Sequence, residues 1–109
     1  MEEYLDLQIK VLYVTARDKS EATFIAKDTL SSNLAVCANI FDEVESIYRW
    51  NNEIKNEKES ILILKCALSN CNKLIDRIKK IHSYDLPCIL EFTIENGNNE
   101  FIDWVNRNG

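Results

Sequence analysis

The stretch from Leu34 to Trp50 constrains this chain more than any other. Its apolar residues Leu34, Val36, Ala38, Ile40, Val44, Tyr48 and Trp50 share one parity, the period of an extended strand whose alternate side chains lie on one face. Fully extended, Leu34 to Tyr48 spans about 50 Å at about 3.3 Å per residue. A compact chain of 109 residues has an expected radius of gyration near ~13 Å, hence a diameter of about 34 Å. A hairpin built on this strand therefore overhangs its own domain, unless a break near Phe41-Asp42 shortens it.

The other elements follow from the same kind of reading. Two glycines and one proline punctuate the chain, so its elements are long and its connections short. Leu5, Leu7, Ile9, Val11 and Tyr13 alternate with polar residues as a half-buried strand from Leu5 to Thr15. Asp18 stands three residues before Glu21, a capping-box variant that opens a helix bearing Ala22, Ile25, Ala26, Thr29 and Leu30 at helical spacing. Asn51-Asn52 is a turn. Ser60 to Leu68 is a strand apolar on both faces except at Lys65, so one face meets helices and the other something else. Ser69 caps a second helix with the stripe Leu74, Ile75, Ile78, Ile81. Pro87 leads into a fourth strand in which Cys88, Leu90, Phe92 and Ile94 alternate with polar residues, and Phe101 to Val105 is a short terminal helix.

The order β-α-β-β-α-β plus one helix is the split β-α-β of α+β, ferredoxin-like folds: an antiparallel sheet with both helices on one face, a long β2-β3 hairpin and an extra C-terminal helix. The length gives one domain, residues 1–109, that buries roughly two-thirds of the surface of its unfolded chain. The chain needs no cofactor or disulfide to fold. The composition, 46% hydrophobic and 28% charged, is that of a soluble protein. Its longest aliphatic run, Ile61 to Leu64, is far short of a membrane span. The start, Met1-Glu2-Glu3, is acidic and unlike a secretory signal, which points to the cytoplasm. A net charge of −5 argues against a nucleic-acid footprint. Cys37, Cys66, Cys71 and Cys88 contain no C-x-x-C pair and are expected as free thiols in a reducing compartment. One histidine, and neither a G-x-x-x-x-G-K-S/T nor a G-x-G-x-x-G loop, argue against an enzyme.

An overhanging ribbon bearing Ile47, Tyr48 and Trp50, on a sheet with one uncovered face, exposes apolar area and unpaired strand edges. Self-association removes both. Edge-to-edge pairing between copies tends to close into a ring, so a cyclic homo-oligomer is expected.

The run Leu34-Ala35-Val36-Cys37-Ala38-Asn39-Ile40, then Ser46-Ile47-Tyr48-Arg49-Trp50, Leu64-Lys65, His82-Ser83-Tyr84-Asp85-Leu86-Pro87 and finally Trp104 resembles the CutA family of divalent-cation tolerance proteins, over about residues 10–105. The resemblance implies a cytoplasmic homotrimer of ferredoxin-like subunits, with copper or another divalent transition metal as the ion. The chain departs from the family pattern at Val14, where bacterial members often have cysteine, at Ile81 in place of the first of a histidine pair, at Ser83 in place of proline, and at Cys88 in place of glutamate. His82 remains.

His82 and Cys88, across the Tyr84–Pro87 turn, are therefore the candidate soft metal ligands. The competing reading of His82 is a residue at a helix C-terminus interacting with the dipole. Tyr48, Trp50, Glu59, Lys65, Tyr84 and Trp104 are candidates for a ligand pocket between subunits or for packing anchors of the trimer. The alternative function, by analogy of fold, is a PII-like trimeric small-molecule sensor or a protein-interaction scaffold.

Overall fold

Asp18 opens the first helix by accepting the Glu21 N–H at 2.9 Å, while the Glu21 carboxylate reaches back to the N–H of Arg17, also at 2.9 Å. This is a capping box displaced by one residue, and it ends β1 (Ile9–Ala16) and starts α1 (Lys19–Ser31) within two residues. The computed structural model describes residues 7–109. The predicted strand start at Leu5 and Asp6 and the acidic Met1-Glu2-Glu3 lie outside the described residues. The chain continues through β2 (Cys37–Trp50), β3 (Glu53–Ala67), a single 3₁₀ turn (Leu68–Asn70), α2 (Cys71–Ile81), β4 (Ile89–Ile94) and α3 (Asn99–Arg107). The sheet order is β2-β3-β1-β4 with every neighbouring pair antiparallel, the α+β arrangement that the sequence predicts.

Several boundaries differ from expectation: β2 starts at Cys37 where Leu34 was expected, and β3 starts at Glu53, seven residues ahead of the expected Ser60, because the hairpin pairs down to its tip at Trp50–Glu53. Ser69 does not cap α2: it lies inside the 3₁₀ turn, and the helix begins two residues later at Cys71. The tighter turn gives the Cys71 N–H a partner in the Leu68 carbonyl, so a side-chain cap is not required there. At the hairpin tip Asn51 and Asn52 both adopt left-handed backbone, with φ of 50° and 64°. A two-residue turn needs this to match the strand twist, and Asn tolerates it best among residues with a Cβ.

The helical side of the sheet carries the main core. Leu12, Val14 and Ala16 of β1 lie opposite Leu64, Leu62 and Ser60 of β3, and all six are buried. They pack with Ala22, Ile25 and Ala26 of α1 and Leu74 and Ile78 of α2. Arg77 ties the two helices together through a bidentate pair with Asp28 at 2.8 and 2.7 Å. On the other side α3 covers one end of the sheet, where Ile102 and Val105 pack on Ile9. Among the described residues, no helix covers the rest of that side.

The parity of the edges corrects the simplest reading of the alternation. The apolar set predicted for β1, Val11 and Tyr13, points away from α1 and α2, as do Leu90 and Phe92 of β4, which pair with them. The residues facing the helices at that edge include Lys10, Glu91 and Thr93, linked by a Lys10–Glu91 ion pair of 3.2 Å and a Lys10–Thr93 hydrogen bond of 2.6 Å. In β2 the single-parity pattern is split by a bulge between Phe41 and Val44, with Glu43 at φ 55°. Ile40 stays opposite Leu62 on the helical side, whereas Val44, Tyr48 and Trp50 lie opposite Glu59, Lys55 and Glu53 on the other.

The break does not shorten the ribbon. The molecule measures 57 × 25 × 22 Å with a radius of gyration of 15.2 Å, against about 13 Å for a compact chain of this length. Its accessible surface of 7221 Å² likewise exceeds the ~6,200 Å² expected from mass. The overhang deduced from strand length is present.

Candidate assembly face and metal-ligand residues

The helix-free side of the sheet gathers side chains from all four strands: Phe41 of β2, Ile61, Ile63 and Lys65 of β3, Val11 and Tyr13 of β1, and Leu90 and Phe92 of β4. Leu90 and Phe92 keep 54% and 52% of their surface exposed, and Phe41 is exposed to a similar extent. The single chain thus leaves several large apolar side chains in water on one continuous face, each worth about 1.5–3 kcal/mol if buried. Beyond the bulge the ribbon is apolar on both sides, with Trp50 on one and Ile47 and Ile54 on the other, all exposed.

The residues singled out from the sequence fall into separate places on this subunit. Tyr84 and Glu59 come together: the Tyr84 hydroxyl donates to Glu59 at 2.7 Å. Burial, then this bond, pushes the Tyr84 phenol above its ordinary range. Tyr48 donates to Glu57 further along the ribbon, and Lys65 donates to Asn39 at 2.7 Å near its other end. Trp50 lies at the tip, about 40 Å from Lys65 by strand rise. Trp104 stacks on Phe101 on the outer side of α3, ring centres 5.8 Å apart. These six residues therefore do not line one pocket within a subunit. Two shallow clefts, of about 430 and 220 Å³, meet at Arg17, one lined by Phe24, Ile81 and Ser83 and the other by Asp42, Glu43 and Glu59.

His82 is buried at 9% exposure where α2 ends. Its Nε2 lies 2.8 Å from the Thr15 carbonyl oxygen, and its Nδ1 accepts the Tyr84 N–H at 3.0 Å. Both ring nitrogens are therefore engaged inside the subunit. Cys88 is half-buried, and its carbonyl accepts the Thr15 N–H at 3.3 Å. Among the described residues no group of three or more His, Cys, Asp or Glu side chains is placed to hold a metal ion. The implied ion does not fit at His82 as the ring stands here, since neither nitrogen offers a free lone pair.

Sequence reasoning did not single out Glu21 as more than a cap. The second oxygen of Glu21 accepts the Ser83 N–H at 2.8 Å, so one buried carboxylate joins the start of α1 to the loop after α2. Burial pushes this carboxyl up, but the bonds from Ser83 and Arg17 outweigh it and hold it below its ordinary value. Nor did it single out Phe41, Leu90 and Phe92. The signal was available in the fourth strand, whose alternation is clear, but periodicity alone does not say which face is covered.

The chain is thus a ferredoxin-like α+β unit with one sheet face and one long ribbon uncovered. The model of the family described as "CutA1 divalent ion tolerance protein" matches residues 10–108, and the chain belongs to that family. A protein of Thermus thermophilus named divalent-cation tolerance protein CutA is 35% identical over 99 residues, covering 91% of this chain and 96% of that one. The solved structure of CutA1 from Ehrlichia chaffeensis superposes with a TM-score of 0.86 at 37% identity, covering 91% and 92% of the two chains. That of Archaeoglobus fulgidus, described as a periplasmic divalent cation tolerance protein, gives 0.87 at 36% identity, covering 92% and 97%. These matches favour divalent-ion tolerance over the PII-like sensor or scaffold. No helix among the described residues is long and apolar enough to cross a membrane.

Proposed function

We propose that this protein acts in tolerance to divalent cations as a homotrimer, with copper or another divalent transition metal as its ion, and that it works by binding rather than by catalysing a reaction. One observation supports the assembly: the alternating apolar sets of β1 and β4 face the helix-free side and stay exposed in the single chain, and packing against another copy would bury them. The sheet ends in two different edges, β2 and β4. Contacts that join one edge to the other are heterologous, and where their rotation closes they form a ring, for which three copies is the smallest number beyond a pair. Within such a ring Tyr48, Trp50, Glu59, Lys65, Tyr84 and Trp104 belong to the junctions as packing anchors. The four free thiols favour a reducing, cytoplasmic setting.

Sedimentation equilibrium of the reduced protein at low micromolar concentration tests the assembly. A particle of three times 12.7 kDa is expected, and a stable single chain overturns it. Titration calorimetry with Cu(II) and Zn(II), beside thermal-shift measurements with a nucleotide panel, tests the ion. Saturable uptake of either metal supports the reading; stabilisation by nucleotides alone overturns it.

A further inference from the structure

His82, Ser83 and Tyr84 are consecutive, and each binds a different part of the fold. The His82 ring bonds to the end of β1 at Thr15, the Ser83 N–H bonds to Glu21 in the first turn of α1, and the Tyr84 hydroxyl bonds to Glu59 of β3. Glu59 lies opposite Val44, the first residue past the bulge, so this last tie is made at the root of the ribbon. The His82 and Tyr84 rings pack together with centres 4.9 Å apart.

The chemistry of the two partners fixes the state of the imidazole. A carbonyl oxygen only accepts, so the nitrogen facing Thr15 carries the hydrogen; an amide N–H only donates, so the nitrogen facing Tyr84 is bare. Only the neutral ring with hydrogen on Nε2 satisfies both. A metal ion needs an unshared pair, and the one pair this ring has is taken by the Tyr84 amide. Coordination at His82 and the closed loop exclude one another.

We propose that His82 is a positioning residue, held as the Nε2–H tautomer, that fixes Tyr84 on Glu59 at the root of the ribbon, and that divalent ions taken up by this protein do not use its imidazole. The second half rests on the divalent-ion reading above; the first stands without it.

Ring-nitrogen NMR of the assembled, reduced wild-type protein at neutral pH is the primary test, and it requires no variant. A pyrrole-type Nε2 and a pyridine-type Nδ1 are expected, both unmoved by saturating Zn(II). Hydrogen on Nδ1, or a zinc-dependent shift of either ring nitrogen, overturns the assignment. If the protein takes up no metal while the tautomer is as stated, the positioning role stands and the divalent-ion reading is what fails. His82→Ala and His82→Asn supply a second readout. The Ala variant should exchange the Tyr84 amide about tenfold faster or more, because the bond protecting it is gone. The Asn variant, whose carbonyl oxygen takes the place of Nδ1, should restore protection, and the Zn(II) stoichiometry of both should equal that of wild type. Loss of zinc uptake in His82→Asn with the Tyr84 amide still protected overturns the proposal.

Discussion

Ile40 and Val44 stand four residues apart on one strand and point to opposite faces of the sheet, Ile40 across from Leu62 and Val44 across from Glu59. An unbroken strand would keep two such residues on the same side. The extra residue is absorbed at Asp42-Glu43, where Glu43 takes a left-handed conformation, Asp42 accepts from the Ser60 hydroxyl at 3.1 Å and Glu43 pairs with Lys58 at 3.0 Å. The bulge therefore aims the ribbon: it moves Tyr48 and Trp50 onto the side shared with Leu90 and Phe92.

Deleting Glu43 should remove the bulge and keep that aim. Asp42 then runs directly into Val44, the pairings Val44–Glu59, Tyr48–Lys55 and Trp50–Glu53 are retained, and Tyr48 and Trp50 stay on the side shared with Leu90 and Phe92. Circular dichroism should still report the folded chain, because the core lies on the near side of the bulge, and sedimentation should show the wild-type mass. Loss of assembly would show that the contact needs the local twist of the bulge and not only the face on which Tyr48 and Trp50 lie.

Phe92→Lys tests the face itself. Its side chain is about half exposed and belongs to neither core cluster, so the chain should remain folded. A lysine at the centre of an apolar contact leaves a buried, unpaired charge, which is strongly destabilising to association. The expected result is a shift to single chains at low micromolar concentration, read by light scattering coupled to size exclusion. If Phe92→Lys assembles as wild type does, another surface joins the copies.

Leu64→Ala tests the opposite side. Leu64 is fully buried among Leu12, Ile25 and Leu74, and truncation there should cost about 2–5 kcal/mol in chemical denaturation. A loss under about 1 kcal/mol would mean that the site collapses around the smaller residue.

The element order, the displaced capping box and the overhang were legible because each rests on local chemistry: period, cap and strand rise. Period did not fix which of the two apolar faces of Ser60 to Leu68 meets the helices, and the fold assigns that side to Leu62 and Leu64. Which face Tyr48 and Trp50 occupy was not legible, because a one-residue bulge inverts parity without leaving a glycine or proline to mark it. The second duty of Glu21 was hidden for a different reason. Its partner, Ser83, is 62 residues away, and only the packed fold brings the two together. The ligand set suggested by His82 and Cys88 came from residue type, which carries no information about which lone pairs the backbone has already taken.

Stability should fall on both sides of neutrality, through different groups. On the acid side Glu21 and Asp28 are held below the ordinary carboxylate range, Glu21 by the Ser83 and Arg17 bonds that outweigh its burial and Asp28 by Arg77. As pH drops below about 4, the unfolded chain takes up protons before the folded one does, so stability is lost as pH falls through the folded values. On the alkaline side burial pushes the Cys66 thiol up to about 11 and the Cys71 thiol to about 12, the latter also donating to Glu91 at 2.9 Å. Their stabilisation is fully present below the ordinary thiol value. Above about 9 the unfolded chain releases these protons first, and stability declines as pH rises toward the folded values. Thermal denaturation under reductant from pH 3 to pH 11 should give a plateau with two falling limbs. Cys66→Ala with Cys71→Ala should flatten the alkaline limb and leave in place the acid losses due to Glu21 and Asp28, whereas Glu21→Gln should make the acid limb shallower, with Asp28 still contributing, and leave the alkaline limb in place. Because Gln offers one acceptor oxygen where Glu21 offers two, it should also lower the plateau by about 1–3 kcal/mol, the cost of one buried N–H left without a partner. An alkaline limb equally steep in the double alanine variant would assign that decline to Tyr84 and other groups instead of the thiol pair.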